Sequence, residues 1–288
     1  MAALTVGIPV FNEEAFLEET LESLRRQRFS DFTAWICDNS STDRSAQIAG
    51  DFARRDERFR LVVHPRNIGG TGNFRYCLSL ADTEFFAWLG AHDVLREEYY
   101  ARTVGALRDD PRLVMAYSRA LLIDRAGRTI GRADSGIDTR GLPVGRRLRK
   151  VVRRLECCTA IHGVFRSALL QSLPDEQLVG ADHLLLYLSA LEGEFAELLE
   201  DLFLRRQVRE ETPEQAFART IDTFGVRSQR FPPHLLLAAK HFEHTLRFAR
   251  LDWPRRVAYG VQAAAILTRR FAIGDWRLWR AVRKPTGM

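Results

Sequence analysis

Three short polar clusters hold the residues best suited to chemistry: FNE at 11–13, DNSS at 38–41 and GAHD at 90–93. Each cluster follows an apolar run that is typical of a buried strand. Carboxylates and imidazoles bind cations, accept hydrogen bonds from a ligand or transfer protons. The clusters therefore predict a binding or catalytic site at the ends of several strands.

The elements that must position these clusters alternate along the first 124 residues. Stretches with helical periodicity separate five apolar strand runs, at 4–11, 32–37, 60–64, 84–89 and 113–124. Strands separated by helices predict an α/β fold with a mostly parallel sheet flanked by helices. Ligands of such sheets bind at the carboxyl ends of the strands, so we expect the three clusters to share one cleft.

The first helix shows its core face directly in the sequence. Leu17, Leu21 and Leu24 recur at helical spacing, and Asn12 is the predicted N-cap, with two glutamates in the first turn. Asn73 is the predicted cap of a later helix, which follows the glycine-rich turn PRNIGGTGN.

Composition and missing motifs exclude several classes of protein. With 46% hydrophobic and 28% charged residues, the chain is globular and not disordered. It lacks G-x-G-x-x-G after the first strand and G-x-x-x-x-G-K-[ST] anywhere, which excludes classical dinucleotide and P-loop sites. The four cysteines lack paired C-x-x-C spacing, which favours reduced thiols in the cytosol. No leader pattern and no spanning helix are expected.

The alternation weakens beyond residue 125. Residues 140–154 contain seven Lys and Arg and no acid, which predicts a loop or basic helix over the cleft. Further predicted elements are a strand at 159–166, a helix at 180–191 and a strand at 196–208. Pro213 marks the predicted boundary between a domain of residues 1–212 and a helical C-terminal extension of residues 213–288.

Positive charge is concentrated near the C-terminus. The overall net charge is +6, but residues 227–288 carry +10 and residues 1–226 carry −4. Three interpretations stay open: contact with an anionic membrane surface, contact with nucleic acid, or a solvated Arg-rich helix face. Nucleic acid is the weakest of them, because no recognition motif or aromatic strand platform accompanies the charge.

Five motifs follow one another in a characteristic order. They are PVFNE at 9–13, DNSSTD at 38–43, Asn67-x-Gly69, His92-Asp93 and Ala181-Asp182. This series resembles that of the family 2 glycosyltransferases, and the similarity covers roughly residues 3–210. The resemblance implies the GT-A (Rossmann-like) fold and transfer of a sugar, with inversion, from a nucleotide-diphosphate donor to an acceptor hydroxyl. It also implies a divalent metal, Mn²⁺ or Mg²⁺.

The resemblance implies where the nucleotide binds. Asp38 is expected to accept a hydrogen bond from the imide N–H of uracil or thymine. Backbone groups of Pro9 and Phe11 are expected to flank the base, and Glu13 to bind a ribose hydroxyl. Asp38 is equally suited to cap a turn, and Glu13 to interact with a helix dipole, so these structural roles stay open.

A glycine-rich turn is the remaining predicted part of the nucleotide site. Asn67 and Gly69 lie where a backbone can approach the ligand closely. The alternative is a tight connection between a strand and a helix, without contact to a ligand.

The resemblance also implies which residues bind the metal and which residue is the catalytic base. Asp93 is the expected metal ligand, because a carboxylate-held cation neutralises a departing diphosphate. His92 stands where such enzymes usually carry an acid. As a second metal ligand, or as a nucleotide ligand, it would favour Mn²⁺. The alternative is a histidine that packs at the rim of the cleft. Asp182 is the predicted catalytic base, with an N-cap role as the alternative. His162 and His183 are expected to be structural.

The expected product is a single added sugar. RRQVR at 205–209 lacks the tryptophan of the Q/R-x-x-R-W motif of processive synthases, although Arg205 or Arg206 is a candidate contact for the diphosphate. A glycan or lipid-linked acceptor in surface polysaccharide or glycoconjugate synthesis is expected. The rival interpretation is a catalytically silent subunit that binds nucleotide or a partner protein.

The expected location and partners follow from the same features. We expect a cytoplasmic protein with no nucleic-acid partner. The basic C-terminal helices, which include WRLWR at 276–280, predict peripheral contact with the inner face of the membrane. Packing of these helices on the catalytic domain or in a homodimer is the alternative.

Overall fold

Nine strands of the described residues form one mixed sheet in the computed structural model of the protein. The structure describes residues 2–154, 158–174, 176, 178–208, 212, 215 and 232–271. The strands are β1 (Leu4–Val10), β2 (Phe32–Asp38), β3 (Phe59–Val63), β4 (Phe85–Trp88), β5 (Val94–Leu95), β6 (Leu113–Ile123), β7 (Thr129–Arg132), β8 (Val164–Arg166) and β9 (Glu194–Arg206). Their order is β3-β2-β1-β4-β8-β6-β9-β5, with β7 paired to β6.

The helices of the described residues lie between and after these strands. They are α1 (Leu17–Arg25), α2 (Ser45–Arg55), α3 (Gly70–Ser79), α4 (Tyr99–Asp109), α5 (Val144–Arg154), α6 (Ser167–Ser172), α7 (Ala181–Glu192), α8 (Pro233–Arg247) and α9 (Trp253–Phe271). A 3₁₀ helix covers Cys158–His162. The predicted α/β alternation is therefore present over the first 124 residues.

Parallel pairing brings the ends of the first strands to one edge. β1 pairs in parallel with β2 and β4, and β2 pairs in parallel with β3. Val10, Asp38 and Val63 are opposite one another in this register. The segments that follow β1 and β2 therefore leave the sheet side by side, as the sequence predicts. The remaining pairs are antiparallel except for β6 with β9.

The core lies on the faces of this sheet. Leu17, Leu21 and Leu24 of α1 are fully buried, which confirms the predicted core face of that helix. The inner strand β1 is apolar on both faces, as expected for a parallel strand covered on both sides. Burial of these residues supplies much of the energy that fixes the strand ends.

Two helix starts differ from the prediction. α1 begins at Leu17 and not after Asn12, because Asn12 has φ +56° and its side chain bonds Thr42 instead of a helix N–H. α3 already begins at Gly70, so Asn73 lies inside the helix and its side chain bonds elsewhere. Long-range hydrogen bonds outweigh the local capping preference in both cases.

The predicted strand at 159–166 is only partly correct. A 3₁₀ helix occupies Cys158–His162, and strand structure starts at Val164. Gly163 makes the transition, since a Cβ at this position would lie 2.9 Å from the carbonyl oxygen of Ala116. The close approach of two backbones, which requires glycine, delays the start of the strand.

The chain divides into two compact units. The sheet unit comprises Met1–Arg140, Glu156–Leu173 and Gly193–Val208. The helical unit comprises Gly141–Leu155, Pro174–Glu192 and Arg209–Met288. All nine strands belong to the sheet unit, whereas α5, α7, α8 and α9 belong to the helical unit. The predicted boundary near Pro213 lies outside the described residues, and the division into residues 1–212 and 213–288 stays a prediction.

Candidate functional site

The two segments that follow β1 and β2 are held together by reciprocal hydrogen bonds. The Asn12 carboxamide oxygen accepts from the backbone N–H of Thr42 at 2.8 Å, and the Asn12 N–H donates to the Ser41 hydroxyl at 3.0 Å. The Glu13 N–H donates to the Ser45 hydroxyl at 2.8 Å. Asn12 (φ +56°) and Ser40 (φ +64°) adopt left-handed backbone, which costs energy in residues other than glycine. These bonds offset that cost and make the site edge rigid.

Asp38 is the most unusual group at this edge. Its side chain is fully buried at the end of β2. One carboxylate oxygen, Oδ1, accepts the N–H of Ser41 at 3.0 Å, whereas Oδ2 has no hydrogen-bond partner among the described residues. A buried acceptor without a donor costs about 1–3 kcal/mol. Asp38 thus acts in the turn, as one alternative predicted, and its contact with a base stays a prediction.

The glycine-rich turn is fixed by two asparagines. The Asn39 Nδ2 donates to the Asn67 carboxamide oxygen at 2.9 Å, and the Asn39 oxygen accepts the N–H of Ile68 at 2.8 Å. The Asn67 oxygen also accepts the N–H of Gly69, whose φ of +81° needs a glycine. Asn39 was missed by sequence analysis as an organising residue; its place directly after Asp38 is the only signal.

Asn73 supports the same turn from inside α3. Its Nδ2 donates to the Cys37 carbonyl at 2.7 Å, and its oxygen bonds the Nε2 of His64 at 3.1 Å. Asn73 and His64 are both buried. The buried amide ties α3 to the end of β2, where Asp38 begins the polar cluster.

Glu13 and His92 form a pair at the same edge. The Glu13 Oε1 lies 3.0 Å from the Nδ1 of His92. Burial lowers the pKa of His92, but the hydrogen bond to Glu13 and the charges of Asp93 and Glu13 outweigh it, and the net pKa is raised. The pair confirms that two of the three polar clusters converge, and it leaves the Nε2 of His92 uncommitted in the described residues.

Asp93 is buried beside this pair. Its Oδ1 accepts the backbone N–H of Arg206 at 2.9 Å. A Cβ at Gly90 would lie 2.5 Å from the Oδ2 of Asp93, so only glycine at position 90 leaves the carboxylate in this place. The Gly90-Ala91-His92-Asp93 sequence therefore folds into a tight turn in which the second oxygen of Asp93 packs against Gly90.

Arg206 has a structural role at this edge that the sequence did not reveal. Its side chain is 1% exposed. The Nε donates to the His92 carbonyl at 3.0 Å, and Nη1 donates to the carbonyls of Asp124 and Arg125, both at 3.1 Å. The Nη2 donates to Glu19 at 2.5 Å. Arg206 is thus committed to the protein, which leaves Arg205 as the candidate contact for the diphosphate.

Arg205 and His162 are also held by contacts with other residues. The Arg205 Nη1 donates to the Thr159 hydroxyl at 3.0 Å. His162 is held by the Trp88 carbonyl, 3.2 Å from Nδ1, and stacks on Phe203 with ring centroids 5.4 Å apart. Burial and the charge of Arg205 lower the pKa of His162, despite the opposing charge of Asp93. These contacts agree with the predicted structural role of His162.

The donor set at the turn fits a divalent cation in part. Asp93 offers Oδ2, and His92 offers Nε2 while Glu13 holds its other nitrogen, an arrangement typical of metal-binding histidines. No group of three or more His, Cys, Asp or Glu suited to a metal occurs in the described ranges. With two protein ligands, water molecules and the phosphate oxygens of a bound nucleotide would have to complete the coordination shell.

The other predicted residues are spread over both units. Pro9 and Phe11 stand at the end of β1, and the Phe11 side chain is 46% exposed. Asp182 lies in the first turn of α7 in the helical unit, where its Oδ1 accepts the N–H of His183 at 2.9 Å. Its role as the base stays a prediction.

A family comparison decides the class of protein. Residues 5–168 match the family model described as "Glycosyl transferase family 2". The chain belongs to this family. Curated relatives with 28–40% identity align over 72–113 residues, which is 20–33% of their own length. One further relative is the GalNAc(5)-diNAcBac-PP-undecaprenol β-1,3-glucosyltransferase of Campylobacter jejuni, 28% identical over 96 residues, 33% of this chain and 31% of that protein.

Solved structures share the fold at low identity. The family 2 chain resembles S. aureus TarS 1–349 in complex with UDP-GlcNAc, with TM-score 0.60, 17% identity and coverage of 98% of this chain and 90% of that chain. It also resembles the mannosyltransferase PcManGT of Pyrobaculum calidifontis in complex with GDP-Man and Mn²⁺, with TM-score 0.54, 15% identity and coverage of 98% and 83%.

These findings confirm the predicted fold class, GT-A, and the predicted class of enzyme, a glycosyltransferase. Among the helices that the structure describes, none combines the length and apolarity needed to cross a membrane.

Proposed function

We propose that this glycosyltransferase transfers one sugar, with inversion, from a UDP- or dTDP-sugar to a hydroxyl of a glycan or lipid-linked acceptor. The observation that carries the proposal is Asp38, a fully buried carboxylate with one oxygen bonded to Ser41 and the other without a partner among the described residues. Such an oxygen can accept a hydrogen bond from a ligand.

The single free oxygen favours a pyrimidine base. Uracil and thymine present one imide N–H between two carbonyl groups, and Oδ2 of Asp38 accepts that one donor. Guanine presents two adjacent donors, whereas Oδ1 of Asp38 is already committed to Ser41. Cytosine and adenine present an unprotonated ring nitrogen, which a carboxylate repels. Phe11, at the end of the neighbouring strand β1, offers an exposed ring against which a base packs.

The diphosphate and its metal are assigned to the turn at 90–93. Asp93 and His92 are the proposed protein ligands of Mn²⁺, which suits a mixed carboxylate and imidazole set better than Mg²⁺ does. When bound, the cation neutralises the charge that develops on the departing diphosphate. The solved structure of PcManGT with Mn²⁺ supports metal use. In this arrangement Oε1 of Glu13 orients His92. Only the second carboxylate oxygen of Glu13 is then available for the predicted contact with the ribose.

Asp182 is the proposed base. The acceptor oxygen forms a bond to the anomeric carbon while the bond from that carbon to the diphosphate oxygen breaks. The acceptor's proton passes to the Asp182 carboxylate, and the nucleoside diphosphate leaves. Asn67 and Gly69 are proposed to line the nucleotide with backbone groups.

The proposed acceptor and location rest on similarity to one relative over a third of this chain. The Campylobacter relative acts, by its name, on an undecaprenol-linked glycan, which supports a lipid-linked acceptor here. We therefore propose a role in surface polysaccharide or glycoconjugate synthesis at the cytoplasmic face of the membrane. A homodimer remains a prediction.

One observation favours a second candidate function. His92 and Ala181 stand where the family's acids are usual, and the described residues offer only two metal ligands. A catalytically silent subunit that binds nucleotide remains the alternative.

Calorimetric titration of UDP with and without Mn²⁺, followed by a donor-turnover assay, separates the two functions. Binding that Mn²⁺ strengthens, with turnover that Asp182→Asn abolishes, supports the enzyme. Binding without turnover of any tested donor supports the silent subunit. Failure to bind UDP and dTDP contradicts both.

A further inference from the structure

The helical unit carries an apolar stripe along α9. Trp253, Val257, Val261 and Ala265 recur every four residues, and the exposed fractions of Trp253 and Val261 are 62% and 52%. The buried residues Gly260, Ala263 and Leu267 mark the packed face of the helix, and Val261 and Ala265 turn away from that face. Trp253 lies on the same side as Gly260, two turns earlier, at the exposed start of the helix. A surface helix normally buries its apolar side and exposes polar groups. Trp253, Val261 and Ala265 of this stripe are therefore exposed apolar residues that the described residues leave uncovered.

The neighbouring helix α5 borders this stripe with positive charge. The Arg149 Nε donates to the Gln262 oxygen of α9 at 3.3 Å, and the Arg270 Nη1 donates to the Val152 carbonyl at 3.1 Å. At Gly145 a Cβ would lie 2.7 Å from the Tyr259 ring. α5 and α9 are therefore in close contact, and their outer sides form one surface.

The two helices that form this surface contain no acid. Neither Val144–Arg154 nor Trp253–Phe271 includes an Asp or Glu. Arg146, Arg153 and Arg269 are exposed and form no ion pair in the part of the chain that the structure describes. Among the described acids of the unit, Glu176 and Glu243 pair with Lys240, Glu192 pairs with Arg250, and Asp252, directly before α9, pairs with Arg255.

A groove joins the charged and apolar parts. It has a volume of about 530 Å³ and is lined by Arg153, Ala265, Ile266, Arg269 and Arg270. Guanidinium groups beside methyl groups match a phosphate headgroup that continues into an acyl chain. Arginine side chains reach towards headgroups while their stems cover apolar surface.

We infer that the α5–α9 surface docks on an anionic lipid bilayer, with α9 lying in the membrane plane over about 28 Å and Trp253 entering the interface. The bilayer is the occupant that the charges favour. A symmetric dimer would place the same patch of both copies together, and two acid-free, arginine-rich faces repel each other.

Nucleic acid would satisfy the charge but leave the tryptophan and valine stripe in water. The apolar stripe and the arginines together are typical of an interfacial helix. This docking rests on the geometry of the helical unit alone and does not depend on the proposed sugar transfer. The WRLWR segment of the sequence prediction lies outside the described residues.

Co-sedimentation of the full chain with vesicles tests the inference without any nucleotide sugar. The vesicles are phosphatidylcholine alone, or phosphatidylcholine with about one third phosphatidylglycerol. We expect binding to the anionic vesicles only, weakened by added salt. The double variant Arg149→Gln/Arg153→Gln should bind about 30-fold more weakly, since each arginine near an anionic surface contributes about 1 kcal/mol. Arg54→Gln/Arg55→Gln on α2 removes the same charge elsewhere and should bind like the wild type.

Trp253→Ser tests the apolar stripe separately. It should weaken vesicle binding about tenfold or more, with an unchanged circular dichroism spectrum and melting temperature. Quenching of tryptophan fluorescence by brominated lipids should occur in the wild type and fall in Trp253→Phe. Three results would each overturn the inference. They are an equal loss of vesicle binding in the α2 control, wild-type vesicle binding by Trp253→Ser, and a dimer that Trp253→Ser dissociates while vesicle binding persists.

Discussion

The backbone N–H of Arg206 donates to the Oδ1 of Asp93 at 2.9 Å, although 113 residues separate the two in sequence. The Arg206 guanidinium at the same time holds the carbonyl of His92. The end of β9 therefore fixes both proposed metal ligands, one by its main chain and one by its side chain. Arg206 is a positioning residue in this arrangement, because its own side chain faces protein groups.

Replacement of Arg206 by lysine should separate positioning from charge. Lysine keeps the positive charge but cannot reach the carbonyls of His92, Asp124 and Arg125 together. Buried acceptors without donors cost about 1–3 kcal/mol each, so the free energy of unfolding should fall by several kcal/mol. Mn²⁺ should bind the remaining folded protein at least tenfold more weakly.

The matched control removes only the exposed end of this network. Glu19 is 55% exposed, and Glu19→Gln should cost less than about 1 kcal/mol, with Mn²⁺ affinity unchanged. Chemical denaturation and Mn²⁺ titration followed by calorimetry measure both effects. Equal Mn²⁺ affinity in Arg206→Lys and the wild type would remove the positioning role.

Gly90→Ala should damage the metal turn selectively. The new Cβ would lie 2.5 Å from Oδ2 of Asp93, so the carboxylate must move. We expect turnover and Mn²⁺ affinity to fall tenfold or more, because misplaced ligands lose most of their effect. Gly105→Ala in α4 has no atom within 4 Å of the new methyl group and should keep activity while gaining about 0.5–1 kcal/mol of stability. Wild-type Mn²⁺ dependence in Gly90→Ala would contradict the assignment of Asp93.

The sequence predicts the part of the site that follows from strand ends. Asp38 at the end of β2, and the polar residues after β1 and β4, could be placed because parallel pairing aligns such ends. The convergence of Glu13 and His92 follows from the same rule.

The residues that hold these groups in place could not be predicted. Asn12 looked like a helix cap, but its carboxamide bonds a residue 30 positions away. Arg206 and Asn39 act through contacts between distant elements, and no local pattern marks such contacts. Gly163 looked like part of a strand, because nothing in the sequence indicates that Ala116 approaches it.

The helical unit should lose stability in mild acid. The His183 Nδ1 lies 3.1 Å from the Nε2 of His241, whose Nδ1 bonds the Leu237 carbonyl at 2.8 Å. Burial lowers the pKa of His183 to about 4 and that of His241 to about 3. Both rings are neutral in the folded protein, whereas in the unfolded chain they take up protons near pH 6.5.

The sign of the effect follows from proton binding. Below about pH 6.5 the unfolded chain binds more protons, so stability is complete above that pH and falls as the pH drops towards the folded pKa values. Each histidine contributes up to about 1.4 kcal/mol per pH unit in this window. Urea unfolding at several pH values should show this slope, reduced by about half in His183→Asn. Because the effect comes from burial, added salt should change it little; a slope that salt abolishes would assign it to surface charge.

Asp38→Asn should separate ligand binding from folding. The variant can keep the bond from its remaining oxygen to the Ser41 N–H, while Oδ2 is replaced by an NH₂ group that repels the imide N–H of uracil. We expect UDP affinity to fall by about 10–100-fold, equivalent to about 1.5–3 kcal/mol. Stability should stay equal or increase, because a buried charge with an unpartnered oxygen is removed. Calorimetry with UDP and thermal unfolding measure the two quantities.

Asp43→Asn is the matched control, because the Asp43 carboxylate accepts hydrogen bonds from the backbone of Glu14 and Ser45 instead. This variant should lower stability more than UDP affinity. An Asp38→Asn protein that is less stable but binds UDP like the wild type would show that Asp38 serves only the turn.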